Sequence, residues 1–190
     1  MSADDLLAAL QPVLAAFRDL GVPHFVGGSL ASSTHGVARA SIDVDIIAEL
    51  EPAHVRRFVS ALADAYYADE YRIETAVRER RSFNLIHPAT MFKVDVFVSR
   101  QRAFDRSSMA RVAHEPLDQD PKAAPVPLAS AEDVLLAKLE RYRRGGEVSE
   151  RQWLGILRVG QTTLDISYLN QWAVVLGVAD LLQRAIAEAA

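Results

Sequence analysis

The 190-residue chain contains no cysteine. That excludes disulfides and thiolate metal sites, and a thiol-free chain fits the cytoplasm, the expected location. No apolar run approaches the roughly 18 residues needed to cross a bilayer, so no membrane is expected among its partners. The N-terminus carries Asp4 and Asp5 in place of a basic segment, so a signal peptide is not expected there. Positive charge is also scarce: 21 Lys and Arg stand against 25 Asp and Glu, for a net charge of −4. Broad, sequence-independent nucleic-acid binding is disfavoured, although a local cluster such as Arg141, Arg143, Arg144 and Arg151 still allows it. The five histidines (His24, His35, His54, His87 and His114) lack zinc-ligand spacing and read as structural or exposed. There is no internal repeat.

What remains is an ordinary globular composition, 50% hydrophobic and 24% charged, enough for one domain with a real core or one domain plus an appendage. Leu6, Leu7, Leu10, Val13, Leu14 and Phe17 recur at helical spacing and predict a helix over 3–18, with Pro12 expected to kink it and Gly21 following its end. His24 to Val26 reads as a strand, 29–35 as a helix and 42–48 as a second strand. Pro52 opens a helix whose buried stripe is Val55, Phe58, Val59, Leu62 and Tyr66. Residues 71–77 and 82–87 are read as strands. Met91 to Val98 is a clearer strand, with Phe92, Val94, Val96 and Val98 on one face and Lys93, Asp95 and Phe97 on the other. Four prolines between 116 and 127 mark a linker or extended loop. The remainder reads as helical: capping sequences begin at Ser130 and Ser149, Gly145-Gly146 separates two helices, Ser167 is expected to cap a third and 178–188 to form a fourth. Trp153 and Trp172 are expected to pack. Leu181, Leu182 and Ile186 are expected to cover this chain's core or a second copy.

The chemistry concentrates in two short stretches. Asp43 and Asp45 are two residues apart, between Ile42, Val44 and Ile46. A strand alternates its faces, so both carboxylates point one way and the apolar residues the other. Adjacent like charges on one face are costly unless a cation or water compensates them. Upstream, Gly27-Gly28-Ser29 is a turn that brings backbone N–H groups close to a phosphate. If the strand of Asp95 lies beside that of Asp43, three carboxylates converge, and three carboxylates hold two Mg²⁺ ions around a triphosphate. Asp95 is placed to accept a proton from an attacking hydroxyl. Taken singly, each of these acids reads as a solubilising or edge-strand charge; the set points to nucleotide chemistry. Arg39 is read either as touching substrate or as pairing with Asp43 or Asp45.

Gly-Gly-Ser, a gap, Asp-x-Asp and a distant third Asp resemble the nucleotidyltransferase superfamily, with its polymerase-β-like fold. The run from Val26 to Ser33 and on to Arg39–Asp45 is similar to small bacterial nucleotidyltransferases related to abortive-infection and toxin–antitoxin enzymes, and Ser130 to Arg144 resembles their following helical segment. The resemblance implies an α+β fold: a mixed sheet with flanking helices over 1–115, a linker over 116–129 and a C-terminal helical domain over 130–190. It implies that Gly27, Gly28 and Ser29 bind phosphate, that Asp43, Asp45 and Asp95 are catalytic metal ligands, and that Lys138 reaches the triphosphate. Lys138, Arg141, Arg143 and Arg144 otherwise read as a solvated helix face. One departure stands out: the relatives carry an acid shortly after Arg-Gln-Trp, whereas Arg151-Gln152-Trp153 here runs into Leu154-Gly155-Ile156.

The expected reaction is Mg²⁺-dependent transfer of a nucleoside monophosphate from an NTP to an acceptor, which is tRNA, a protein or a small molecule. A toxin with an antitoxin partner is one version. A nucleotide-binding module that has lost catalysis is the alternative, and an interaction protein with a helical partner surface is a third reading.

Overall fold

The computed structural model describes residues 3–36, 43–116, 124–146, 150–160 and 162–189. Arg39, Ile42 and the Ser149 cap lie outside the described residues. The elements run α1 (Ala3–Asp19), β1 (His24–Val26), α2 (Gly28–His35), β2 (Asp43–Ala48), α3 (Pro52–Leu62), α4 (Glu70–Arg78), β3 (Ser82–His87), β4 (Phe92–Val98) and α5 (Ala103–Ala110). They continue with β5 (Ala113–Glu115), β6 (Val126–Leu128), α6 (Ala131–Arg143), α7 (Glu150–Val159), α8 (Ile166–Val175) and α9 (Ala179–Ala189).

The strands form one mixed sheet in the order β3-β4-β2-β1-β6-β5. β2 and β4 are parallel; β1–β2, β3–β4 and β5–β6 are antiparallel. The period-2 pattern does what the sequence predicts. Val44, Ile46, Ala48, Val94, Val96 and Val98 are buried on one face, in a core shared with α1, α3 and α4. Asp43, Asp45, Ile47, Lys93, Asp95 and Phe97 lie on the other, more open face.

Three expectations are corrected. Residues 71–77 are not a strand but the body of α4: the Asp69 carboxylate accepts a hydrogen bond from Arg72 N at 3.1 Å, and Ile73, Ala76 and Val77 are buried at helical spacing. Val126–Leu128, inside the stretch read as a linker, is β6, and Val26 pairs with Leu128. α8 is capped by Asp165, which accepts from Tyr168 N at 2.9 Å, and not by Ser167. The Ser130 cap of α6 is present: its Oγ accepts from Asp133 N at 3.2 Å. Trp153 is buried in the core, and Leu181 and Leu182 cover this chain's own core.

Candidate active site

Register brings the distant carboxylates together. Asp45 on β2 is the direct partner of Asp95 on β4, and Asn84 on β3 faces Asp95 from the other side. Partners in register point to the same side of a sheet, so Asn84, Asp95 and Asp45 form one row across the open face. The Gly27 N–H donates to Asp45 O at 2.9 Å and extends that row to the glycine turn. Gly28 has φ +57°, and a Cβ on it would fall 1.6 Å from Asp45 Oδ2. Backbone conformation and space both demand glycine there, because the Asp45 carboxylate rests against its Cα. Ser29 Oγ donates to Asp43 O at 3.5 Å.

The next row holds Ile86, Lys93 and Asp43. Lys93 Nζ lies 3.0 Å from Asp95 Oδ2 and 3.7 Å from Asp43 Oδ2. The hydrogen bond to Asp95 and the surrounding acids raise the Lys93 pKa despite partial desolvation. Burial pushes the Asp45 carboxyl up, and the adjacent Asp95 adds to the shift; Arg141 and Lys138 oppose it. Lys138 is buried at the wall on α6, which removes the solvated-face alternative for it.

A cavity of about 690 Å³ opens beside this row, between the sheet and α5–α6. Gly27, Gly28, Ser29, Asp45, Lys138 and Arg141 are among the residues that line it. Asp43 and Asp95 flank Asp45 on the same sheet face and are not part of the cavity wall. The acids offer hard oxygen donors, the kind Mg²⁺ takes, and burial together with the neighbouring Asp95 disfavours the charged form of Asp45, which a cation would favour. Among the described residues no three acids or histidines converge tightly enough to close a metal site, and the Lys93 ammonium stands between Asp43 and Asp95. Sequence reasoning placed Lys93 on the right face without assigning it, and missed Asn84; both follow once β3, β4 and β2 are in register.

No protein-family model and no curated protein matches the chain. Solved structures do. The antibiotic-resistance factor ANT(2'')-Ia, seen in solution with substrate-regulated conformation dynamics, is 15% identical with a TM-score of 0.53, over 98% of this chain and 97% of that one. An antigenic nucleotidyltransferase-like protein from Paracoccidioides brasiliensis is 15% identical with a TM-score of 0.57, over 98% and 94%. The chain has the nucleotidyltransferase fold, an α+β architecture that the two neighbours share over nearly their whole lengths.

Proposed function

We propose that the chain is a nucleotidyltransferase that moves a nucleoside monophosphate from an NTP to an acceptor hydroxyl. The observation that carries the reading is the pairing of Asp45 with Asp95 beside the Gly28 turn, at the end of a cavity also lined by Lys138 and Arg141. The acceptor oxygen attacks the α-phosphorus, an O–P bond forms, the bond to the bridging oxygen breaks and pyrophosphate leaves. The Asp95 carboxylate takes the acceptor's proton. Gly27 and Gly28 bring backbone close to the phosphates, and Lys138 and Arg141 offset their charge. Asp43, Asp45 and Asp95 would hold Mg²⁺, which supplies charge neutralisation and alignment of the triphosphate when bound. The reaction belongs in the cytoplasm, where NTP and Mg²⁺ meet. The resemblance to abortive-infection enzymes extends the reading to a toxin restrained by an antitoxin partner.

The test is calorimetric binding of each NTP with Mg²⁺, followed by pyrophosphate release in cell extract, for wild type against Asp45→Asn. Mg²⁺-dependent binding and release, both lost in the variant, support the reading. Unchanged binding and release in the folded variant overturn it. A second reading, nucleotide binding without transfer, is favoured by the Lys93 ion pairs to two of the three acids. Binding with no pyrophosphate release would select it.

A further inference from the structure

The far end of the same cavity has a different character. One sheet rung beyond Asp45–Asp95, Phe97 pairs with Ile47 on one side and Ser82 on the other, and Phe25 joins them in the cavity floor. This floor is apolar, and Phe97 is 37% exposed. Beyond it Arg80, Arg81 and Arg100 line the wall. Arg80 and Arg100 are twenty residues apart and meet because β3 and β4 form a hairpin: Val98 N donates to Arg81 O at 3.1 Å, and Arg80 Nη1 donates to Ser99 O at 2.9 Å. From Asp95 to Ser99 the strand advances about 13 Å, which separates the arginines from the carboxylate row.

Two backbone features show that this end is built. Arg80, just before β3, has φ +52° and Gln101, just after β4, has φ +55°, a conformation that non-glycine residues rarely adopt; they adjoin Arg81 and Arg100 respectively. Such residues persist where surrounding contacts hold them, and they gather at ligand sites. The contacts are the Arg80 bond to Ser99 O and a bond from Gln101 N to Ser99 Oγ at 3.1 Å. The acids nearby are already engaged. Arg102 bonds both Asp105 and Glu140, and Arg144 also bonds Glu140. Arg81 has only an exposed pair with Glu79 at 3.0 Å, and exposed Arg100 has no carboxylate partner among the described residues.

Resting on the nucleotidyltransferase reading, we propose that the acceptor carries a phosphate monoester. Its phosphate sits on Arg80, Arg81 and Arg100, its skeleton lies over Ile47 and Phe97, and its hydroxyl reaches Asp95. Planar guanidinium forks match phosphate oxygens, and a cationic acceptor would meet repulsion at this wall. The phosphate belongs either to a free sugar phosphate or to the 5′ end of an RNA; the chemistry at the arginines is the same.

The test measures binding of ribose 5-phosphate against ribose, and of a 5′-phosphorylated trinucleotide RNA against its 5′-hydroxyl form. Each is titrated into wild type and R81A/R100A, with and without the tightest NTP and Mg²⁺. Expected is phosphate-dependent binding in wild type that falls about tenfold or more in the double variant, while NTP affinity holds. Binding of ribose 5-phosphate assigns a small acceptor; binding of the RNA alone assigns a nucleic-acid end. Equal binding of phosphorylated and hydroxyl forms overturns the proposal, as does an NTP affinity that drops with the arginines, which would give them to the nucleotide. If no NTP binds wild type, the nucleotidyltransferase reading fails, and the phosphate comparison without NTP still decides the arginine site.

Discussion

Lys93 and Asp95, two residues apart on one face of β4, form an ion pair with Nζ 3.0 Å from Oδ2. The ammonium also lies 3.7 Å from Asp43 Oδ2 and so competes with any divalent cation for the same two acids. Both partners are partly exposed, at 39% and 23%, so the pair adds little to stability. Lys93→Met should leave unfolding within about 1 kcal/mol of wild type and tighten Mn²⁺ binding to the nucleotide-free protein by about fivefold. Electron paramagnetic resonance of free Mn²⁺ reads the second effect directly. Weaker Mn²⁺ binding in the variant would mean that the lysine helps to hold the cation site together.

Two neighbouring acids at the start of α6 should titrate with opposite consequences for stability. Burial tends to raise the Glu132 pKa, but bonds from backbone N–H groups and the Arg111 guanidinium at 2.9 Å outweigh it and bring the group below its ordinary 4.5. Asp133 stays above its ordinary 3.8 because burial outweighs the hydrogen bonds from Tyr168 and Ser130. Glu132 therefore stabilises the fold above about pH 4.5, and that stability is lost as the pH falls through its lower folded value. For Asp133 the favourable contribution is complete below 3.8 and is lost as the pH rises through its higher folded value. Urea unfolding across acid pH should show Glu132→Gln destabilised by about 1–3 kcal/mol at neutral pH, with the gap closing in acid. Asp133→Asn should compare worst with wild type in acid. Parallel pH curves for both variants and wild type would contradict the assignment.

The misreading of 71–77 has a physical cause. Tyr71, Ile73, Thr75 and Val77 alternate as a strand would, and all four are aromatic or β-branched residues common in strands. The buried set is nonetheless Ile73, Ala76 and Val77; Tyr71 is 78% exposed, and Thr75 Oγ1 bonds back to Tyr71 O within the helix. The Asp69 cap is the local signal that decides it. Asp69→Ala should cost about 1 kcal/mol in chemical unfolding, with helical circular dichroism reduced; no change in either would make packing alone responsible for α4.

Within the candidate site, what was legible follows the two-residue period. That period put Asp43 with Asp45, and Asp95 with Lys93 and Phe97, before any pairing was known. The register of β2 against β4 and of β3 against β4 is a long-range property, so the Asp45–Asp95 row, Asn84 and the meeting of Arg80 with Arg100 could not be read locally. Two readings of Lys138 stood open in the sequence, a phosphate contact and a solvated helix face, because helical spacing alone does not reveal that α6 packs against α2, α7 and α8, where even its first-turn acids are buried.

Asp45 and Asp95 should separate binding from chemistry. Asp45 lines the cavity and rests on Gly28, so in the proposed reaction its carboxylate would face the triphosphate and its cation. Asp95 sits one strand away in the same row, outside the cavity wall, where an attacking hydroxyl would approach. Asp45→Asn should lose Mg²⁺-dependent NTP binding and with it all pyrophosphate release. Asp95→Asn should keep NTP binding and lose release by at least about 100-fold, the scale of a missing general base. Calorimetry and a pyrophosphate assay on the same preparations measure both. If the Asp95 variant loses binding as completely as the Asp45 variant, its carboxylate acts through the cation alone; if it releases pyrophosphate at the wild-type rate, the proton is taken elsewhere.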